Sequence, residues 1–247
     1  MAVKQSPDDE PLGPEFDDPE LDAVFAKASP ADTIAAVLTE ARLVLAEVVE
    51  PLNAELWGSD ILGALGSGDN HADAIAEAAE RSGTPEAMAA LCALGAVGQD
   101  KLRVAASEAA EQLAALGVNR PAWAETIGKP SPGLCWSYGD ALGEQEVVTM
   151  SFSYGDAEHV VSVLLDHAQG GGIKNVWIGE SGGLLDRTKK LSQEDPGMHF
   201  TMITQSDARA RMDRAIAAGE SPQSPDETAR VASTRALLRS RVALLPH

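Results

Sequence analysis

Val147-Val148-Thr149-Met150-Ser151-Phe152-Ser153-Tyr154-Gly155-Asp156-Ala157-Glu158-His159-Val160-Val161-Ser162-Val163-Leu164-Leu165 joins two β-prone, apolar runs through a glycine-led reversal, and its reading decides the fold. Gly155-Asp156 suits a two-residue type II′ turn, which sets Phe152 opposite His159, Met150 opposite Val161 and Val148 opposite Val163. One face then carries Val148, Met150, Phe152, Tyr154, His159, Val161, Val163 and Leu165, the pattern of a core face. The other mixes Thr149, Ser151, Ser153, Glu158, Ser162 and Asp166 with Val147, Val160 and Leu164, so a half-polar, partly exposed surface is expected.

The tetrapeptide Ser-Tyr-Gly-Asp occurs at Ser137–Asp140 and again at Ser153–Asp156, each time where an apolar run gives way to a reversal. Its recurrence predicts a three- or four-stranded antiparallel meander over about 134–179. At the rim of that sheet, Tyr138, Asp140, Tyr154 and Asp156 are candidate binding residues.

Outward from the sheet the chain is helical. Ser29-Pro30-Ala31-Asp32 carries a capping serine, a first-turn proline and an acid at the positive end of the dipole. Ile34, Val37, Leu38, Ala41, Leu45, Val48 and Val49 follow at helical spacing, and Pro51 ends the run. Further helices are expected over 70–81, 85–97, 100–116 and 184–193. Ser224-Pro225-Asp226-Glu227 is a capping box opening a last helix. Gly63, Gly66 and Gly68 read as a loop. The fold class is therefore α+β: an Ala-rich helical N-terminal region, the meander, and C-terminal helices packed on one face of the sheet. The expected organisation is a disordered acidic tail (1–19), a helical region (20–118), a Pro/Gly-rich linker (119–133) and the sheet with its closing helices (134–247).

Nineteen Lys and Arg against 38 Asp and Glu leave a net charge of −19, which repels nucleic-acid phosphates and anionic lipid at long range. The acids concentrate in residues 1–58. Over 205–247 the balance reverses with Arg209, Arg211, Arg214, Arg230, Arg235, Arg239 and Arg241. That stripe is a candidate nucleic-acid contact through Arg235 and Arg239, or a face that pairs with the acidic half within one chain or across a dimer. Two cysteines, Cys92 and Cys135, are too few for a disulfide framework, and no basic start with an apolar stretch opens the sequence. A cytoplasmic protein with no membrane association is expected.

His159, Asp166 and His167 have metal-ligand chemistry, but eight residues of extended strand span roughly 26 Å, so the two histidines cannot share an ion unless the strand breaks. No metal or cofactor is expected. Asp166-His167 opens a glycine-rich loop, Asp166–Gly172, that could approach a ligand closely. Gly179-Glu180-Ser181-Gly182-Gly183, set between an apolar run and a helix, resembles the nucleophile elbow of α/β-hydrolases. That resemblance implies Ser181 as nucleophile, with His199 and Asp195 as base and orienting carboxylate. Against it, the preceding strands read as hairpins, and Asp195 and His199 lie four residues apart on one turn. The expectation is a non-enzymatic, bacterial-type interaction or regulatory protein acting through a protein partner or self-association. The alternatives are a small serine hydrolase and a nucleic-acid binder.

Overall fold

The computed structural model describes residues 30–46, 50–66, 72–222 and 224–247. The acidic tail expected over 1–19 and the Ser29 cap lie outside the described residues. Five N-terminal helices, α1 (Pro30–Val44), α2 (Pro51–Ala64), α3 (Ala72–Ser82), α4 (Pro85–Val97) and α5 (Asp100–Ala115), lead through a short 3-10 turn (Ala122–Glu125) into the sheet. Strands β1 (Ser131–Asp140), β2 (Gln145–Tyr154), β3 (Ala157–Asp166) and β4 (Gly172–Glu180) follow. Helix α6 (Leu184–Glu194), strand β5 (Met198–Ile203) and helices α7 (Gln205–Ala218) and α8 (Pro225–Ala243) complete the chain.

The sheet is antiparallel throughout, with order β4-β3-β2-β1-β5. It has five strands, not three or four. The fifth comes from Met198-His199-Phe200-Thr201-Met202-Ile203, whose alternation is that of a half-buried strand, and it pairs with β1 at the edge opposite β4. The central hairpin has the register its turn dictates: Phe152 faces His159, Met150 faces Val161 and Val148 faces Val163. Gly155 takes the positive φ of 61° that the two-residue turn requires.

Val148, Met150, Phe152, Val161, Val163 and Val176 are fully buried on the face covered by α7 and α8, where Met212, Val231, Leu238 and Val242 complete one core. The connection from β4 to β5 spans the whole sheet and carries α6, whose Lys189 ammonium sits 5.8 Å from the centre of the Phe200 ring on the other face. That second face is more buried than its composition suggests. Thr149, Ser151 and Ser162 are under 10% exposed, and the Thr149 and Ser162 hydroxyls bond each other at 2.9 Å, so their polarity is satisfied across the strands.

Helices α2 to α5 build a second core from small side chains around Trp57, Leu91, Leu94 and Leu113. Helix α2 lies between Pro51 and the glycines expected as a loop. Its polar residues are split, Asn53 and Asp60 on one side and Glu55 and Ser59 on the other, so no amphipathic stripe marks it, and Gly63 belongs to its last turn. The two cores meet where α2 packs along α8. The Ser59 hydroxyl donates to the Ser233 carbonyl at 2.5 Å and accepts from the Leu237 amide at 3.1 Å. The capping box forms as expected: Ser224 accepts from Glu227 N, and the Glu227 carboxylate accepts from Ser224 N.

Candidate functional site

The residues singled out in the sequence are spread over the sheet rather than gathered at one point. Asp140 caps the β1–β2 turn by accepting from the amides of Leu142 (2.8 Å), Glu144 (3.2 Å) and Gln145 (2.6 Å). Those backbone donors hold its carboxyl below the usual range. Asp156 sits in the two-residue turn between β2 and β3, and Tyr138 lies on β1 opposite Val147 and Phe200. Asp166 closes its own loop by accepting from Gln169 N at 3.1 Å and lies 3.7 Å from the Lys174 ammonium. His167 contacts Glu146, which also pairs with Arg211. Among the described residues, no three His, Cys, Asp or Glu side chains converge on a point that could hold a metal.

The elbow-like Ser181 follows β4, and its hydroxyl donates to Glu158 at 2.5 Å. His199 lies on β5, opposite Gly139. Three strands separate β4 from β5, about 19 Å at a spacing of about 4.8 Å, and His199 is level with Ile173 at the start of β4 whereas Ser181 lies past its end, so the serine and histidine are at opposite ends of the sheet as well as near opposite edges. Asp195 accepts from Gly197 N in the turn before β5. The three residues are not brought together. The arginine stripe is not one surface either. Arg241 is fully buried, Arg235 is held by Glu220, Arg211 by Glu146, and Arg209 donates to the carbonyls of Ala243 and Leu245. Of the two candidate nucleic-acid contacts, Arg239 alone is left exposed.

Tyr154 belongs to a buried cluster that the sequence did not disclose. Arg241 donates to both oxygens of Glu55, at 2.9 and 2.5 Å, and to Nε2 of His159 at 3.2 Å. Its guanidinium lies 5.7 and 5.8 Å from the Phe152 and Tyr154 ring centres, and the His159 ring stacks near both. Gly128 N donates to Glu55 and to the Tyr154 hydroxyl. Burial first, and the Glu55 charge second, push the Tyr154 hydroxyl above its usual range. Burial, with the Arg241 charge behind it, pulls His159 down to about 3. The ring is therefore neutral and accepts from Arg241. Both oxygens of Glu55 and three nitrogens of Arg241 are engaged, so this cluster joins the helical region to the sheet and leaves no reactive group over.

A pH dependence follows. The folded-state pKa of His159 lies below the unfolded value of about 6.5, so between the two the unfolded chain binds more protons and stability rises with pH. The His159 contribution is whole above about pH 6.5 and is lost as pH falls towards 3, at up to about 1.4 kcal/mol per pH unit. His159→Gln retains an acceptor for Arg241 and does not titrate. Urea unfolding at pH 7, 6, 5 and 4 is expected to show a shallower loss for the variant, and parallel curves would contradict this.

What remains as an unfilled surface is the edge at β5. The β4 edge is blunted at its start, where Ile173 N bonds Gly219 O and Ser221 N bonds Ile173 O in a one-residue bridge, and Lys174 follows within the strand. Among the described residues strand β5 pairs only with β1, and it contains no proline, lysine or carboxylate, the devices that protect sheet edges. Of seven exposed large hydrophobic side chains among the described residues, four flank it. Met202 (44% exposed) lies within it, Leu134 and Leu142 stand beside its two ends, and Leu191 projects from the helix packed on it. The signal is present in the alternation Met198-His199-Phe200-Thr201-Met202. A cleft of about 200 Å³ between β4, α7 and α8, lined by Ile173, Val176, Ile216 and Leu238, is smaller than the usual small-molecule site. No family model, curated protein or solved structure matches the chain.

Proposed function

We propose that the protein is a non-enzymatic cytoplasmic interaction or regulatory protein that works by accepting an extended segment of a partner on the open edge of β5. The observation that carries this reading is the contrast between the two edges of one sheet, β4 bridged and β5 bare and ringed by exposed apolar side chains. Strand addition draws its affinity from main-chain hydrogen bonds and its specificity from side chains alternating along the strand, so it needs no deep pocket. Two free cysteines, Cys92 and the buried Cys135, fit a reducing compartment, and burial raises the Cys135 thiol to about 11, which makes it inert at neutral pH. No helix among the described residues is long and apolar enough to cross a membrane.

Met202→Lys places a charge on the bare edge without touching either core. In affinity capture from native lysate, the wild-type chain is expected to retain a stoichiometric partner, either another protein or its own copies, and Met202→Lys to lose it. Capture that is unchanged in the variant, or no stoichiometric partner with either chain, overturns the reading.

A further inference from the structure

We infer that the segment accepted by β5 is β5 of a second copy of this chain, paired antiparallel about a two-fold axis through Phe200, so that two five-stranded sheets become one of ten strands. This rests on the reading of the β5 edge as the interaction surface and names its occupant.

The edge is self-complementary. In an antiparallel pair, residues directly opposite project to the same face, so a two-fold axis perpendicular to the sheet must pass through a residue position. With the axis at Phe200, Met198 of one copy meets Met202 of the other, Phe200 meets Phe200, and His199 meets Thr201. Met198, Phe200 and Met202 share the face that carries α6, and Met-x-Phe-x-Met is palindromic in those positions, so every pair on that face is apolar. Aromatic pairs directly across strands are among the stabilising ones. Leu142, 83% exposed, and Leu134, 55% exposed, lie one strand in from the open edge, at the two ends of β1, and extend the apolar surface behind it.

Charge selects the same arrangement. A chain of net charge −19 repels its own copy over most of its surface, and an isologous interface must lie where like charges do not face each other. Met198–Ile203 carries no carboxylate, and the nearest cation on the adjoining helix, Lys189, lies over Phe200. Along this strand the acidic chain can approach its copy without acids of the strand opposing each other.

Sedimentation of the full chain across a concentration series tests this. The expected result is a species of twice the 25.8 kDa chain mass that dissociates on dilution, and at least about tenfold weaker dimerisation in Met202→Lys, with unchanged circular dichroism and, at concentrations where both chains are monomeric, an unchanged thermal midpoint. A register test accompanies it: under mild oxidation Phe200→Cys cross-links to its own copy, whereas Thr201→Cys, which faces His199 rather than itself, does so poorly. A chain that stays monomeric at every concentration overturns the second copy as occupant. If edge-dependent capture of another protein persists in that case, the broader interaction reading stands. A dimer indifferent to Met202→Lys overturns both. A dimer that Met202→Lys weakens but that cross-links best at another position overturns the axis through Phe200.

Discussion

Glu55→Ala is expected to lower the unfolding free energy by about 3–5 kcal/mol, a loss that would bring the thermal midpoint down by roughly 10 °C. The carboxylate it removes is, among the described residues, the one ion-pair partner of Arg241, which is wholly buried with its guanidinium near the Phe152 and Tyr154 rings and its Nε on His159. With Glu55 gone the cation has a neutral histidine and one serine hydroxyl for partners, and neither replaces the hydration it gave up. The same reasoning makes the sign of a second experiment distinctive. Replacing both members, Glu55→Leu with Arg241→Met, removes two desolvation penalties together, and such exchanges come out near neutral or stabilising. A double-mutant cycle followed by urea unfolding should therefore show the double variant close to wild type and well above either single one. Losses that merely add would show that the pair is not a unit.

Gly63→Ala is expected to destabilise by about 1–3 kcal/mol, and Gly63→Leu by more, although alanine would ordinarily stabilise a helix by about 1 kcal/mol over glycine. A Cβ at this position would stand 2.5 Å from the Ala232 carbonyl oxygen and 2.7 Å from its carbon, both main-chain atoms of α8 that cannot rotate away. The helices would have to separate. One turn earlier on α2, the Ser59 hydroxyl is held at both its hydrogen bonds by the same spacing, and one turn before that lies Glu55. Separation thus strains three contacts at once. Gly179→Ala, where a Cβ meets nothing within 4 Å, serves as the control and should be neutral. A stabilised Gly63→Ala would show that α2 and α8 have room to spare.

The hairpin around Gly155 was legible because its information is local: a turn residue and a period of two fix every facing pair from Tyr154–Ala157 to Gln145–Asp166. The last helix was legible for the same reason, its start written in Ser224, Pro225 and Glu227. Helix α2 was not. Its polar residues are split between opposite sides, so no single face gives a period, and its glycines look like a loop until Ala232 is placed against Gly63. Strand β5 has the alternation of a strand, yet its partner β1 lies some sixty residues upstream and nothing local announces the crossing by α6. The candidate site divides along the same line. The turn role of Asp140 follows from its neighbours, whereas the Glu55–Arg241 pair joins positions 186 residues apart. Opposite charges at that separation carry no mark of pairing. The separation of Ser181 from His199 likewise depends on strand order, which no motif contains.

The 186 residues between Glu55 and Arg241 also set a clock. At a synthesis rate of about 5–20 residues per second, α2 is made roughly 10–40 s before the helix that neutralises it and fills the groove along Gly63 and Ser59. During that interval the helical region lacks its α8 wall. Closing so long a loop costs entropy before any contact rewards it, and slow refolding limited by the arrival of α8 on α2 is the kinetic signature of such a chain. Substitutions at Gly63 and Ser59 then act on the docking step, and those in the Gly155 hairpin on a step already complete when docking begins.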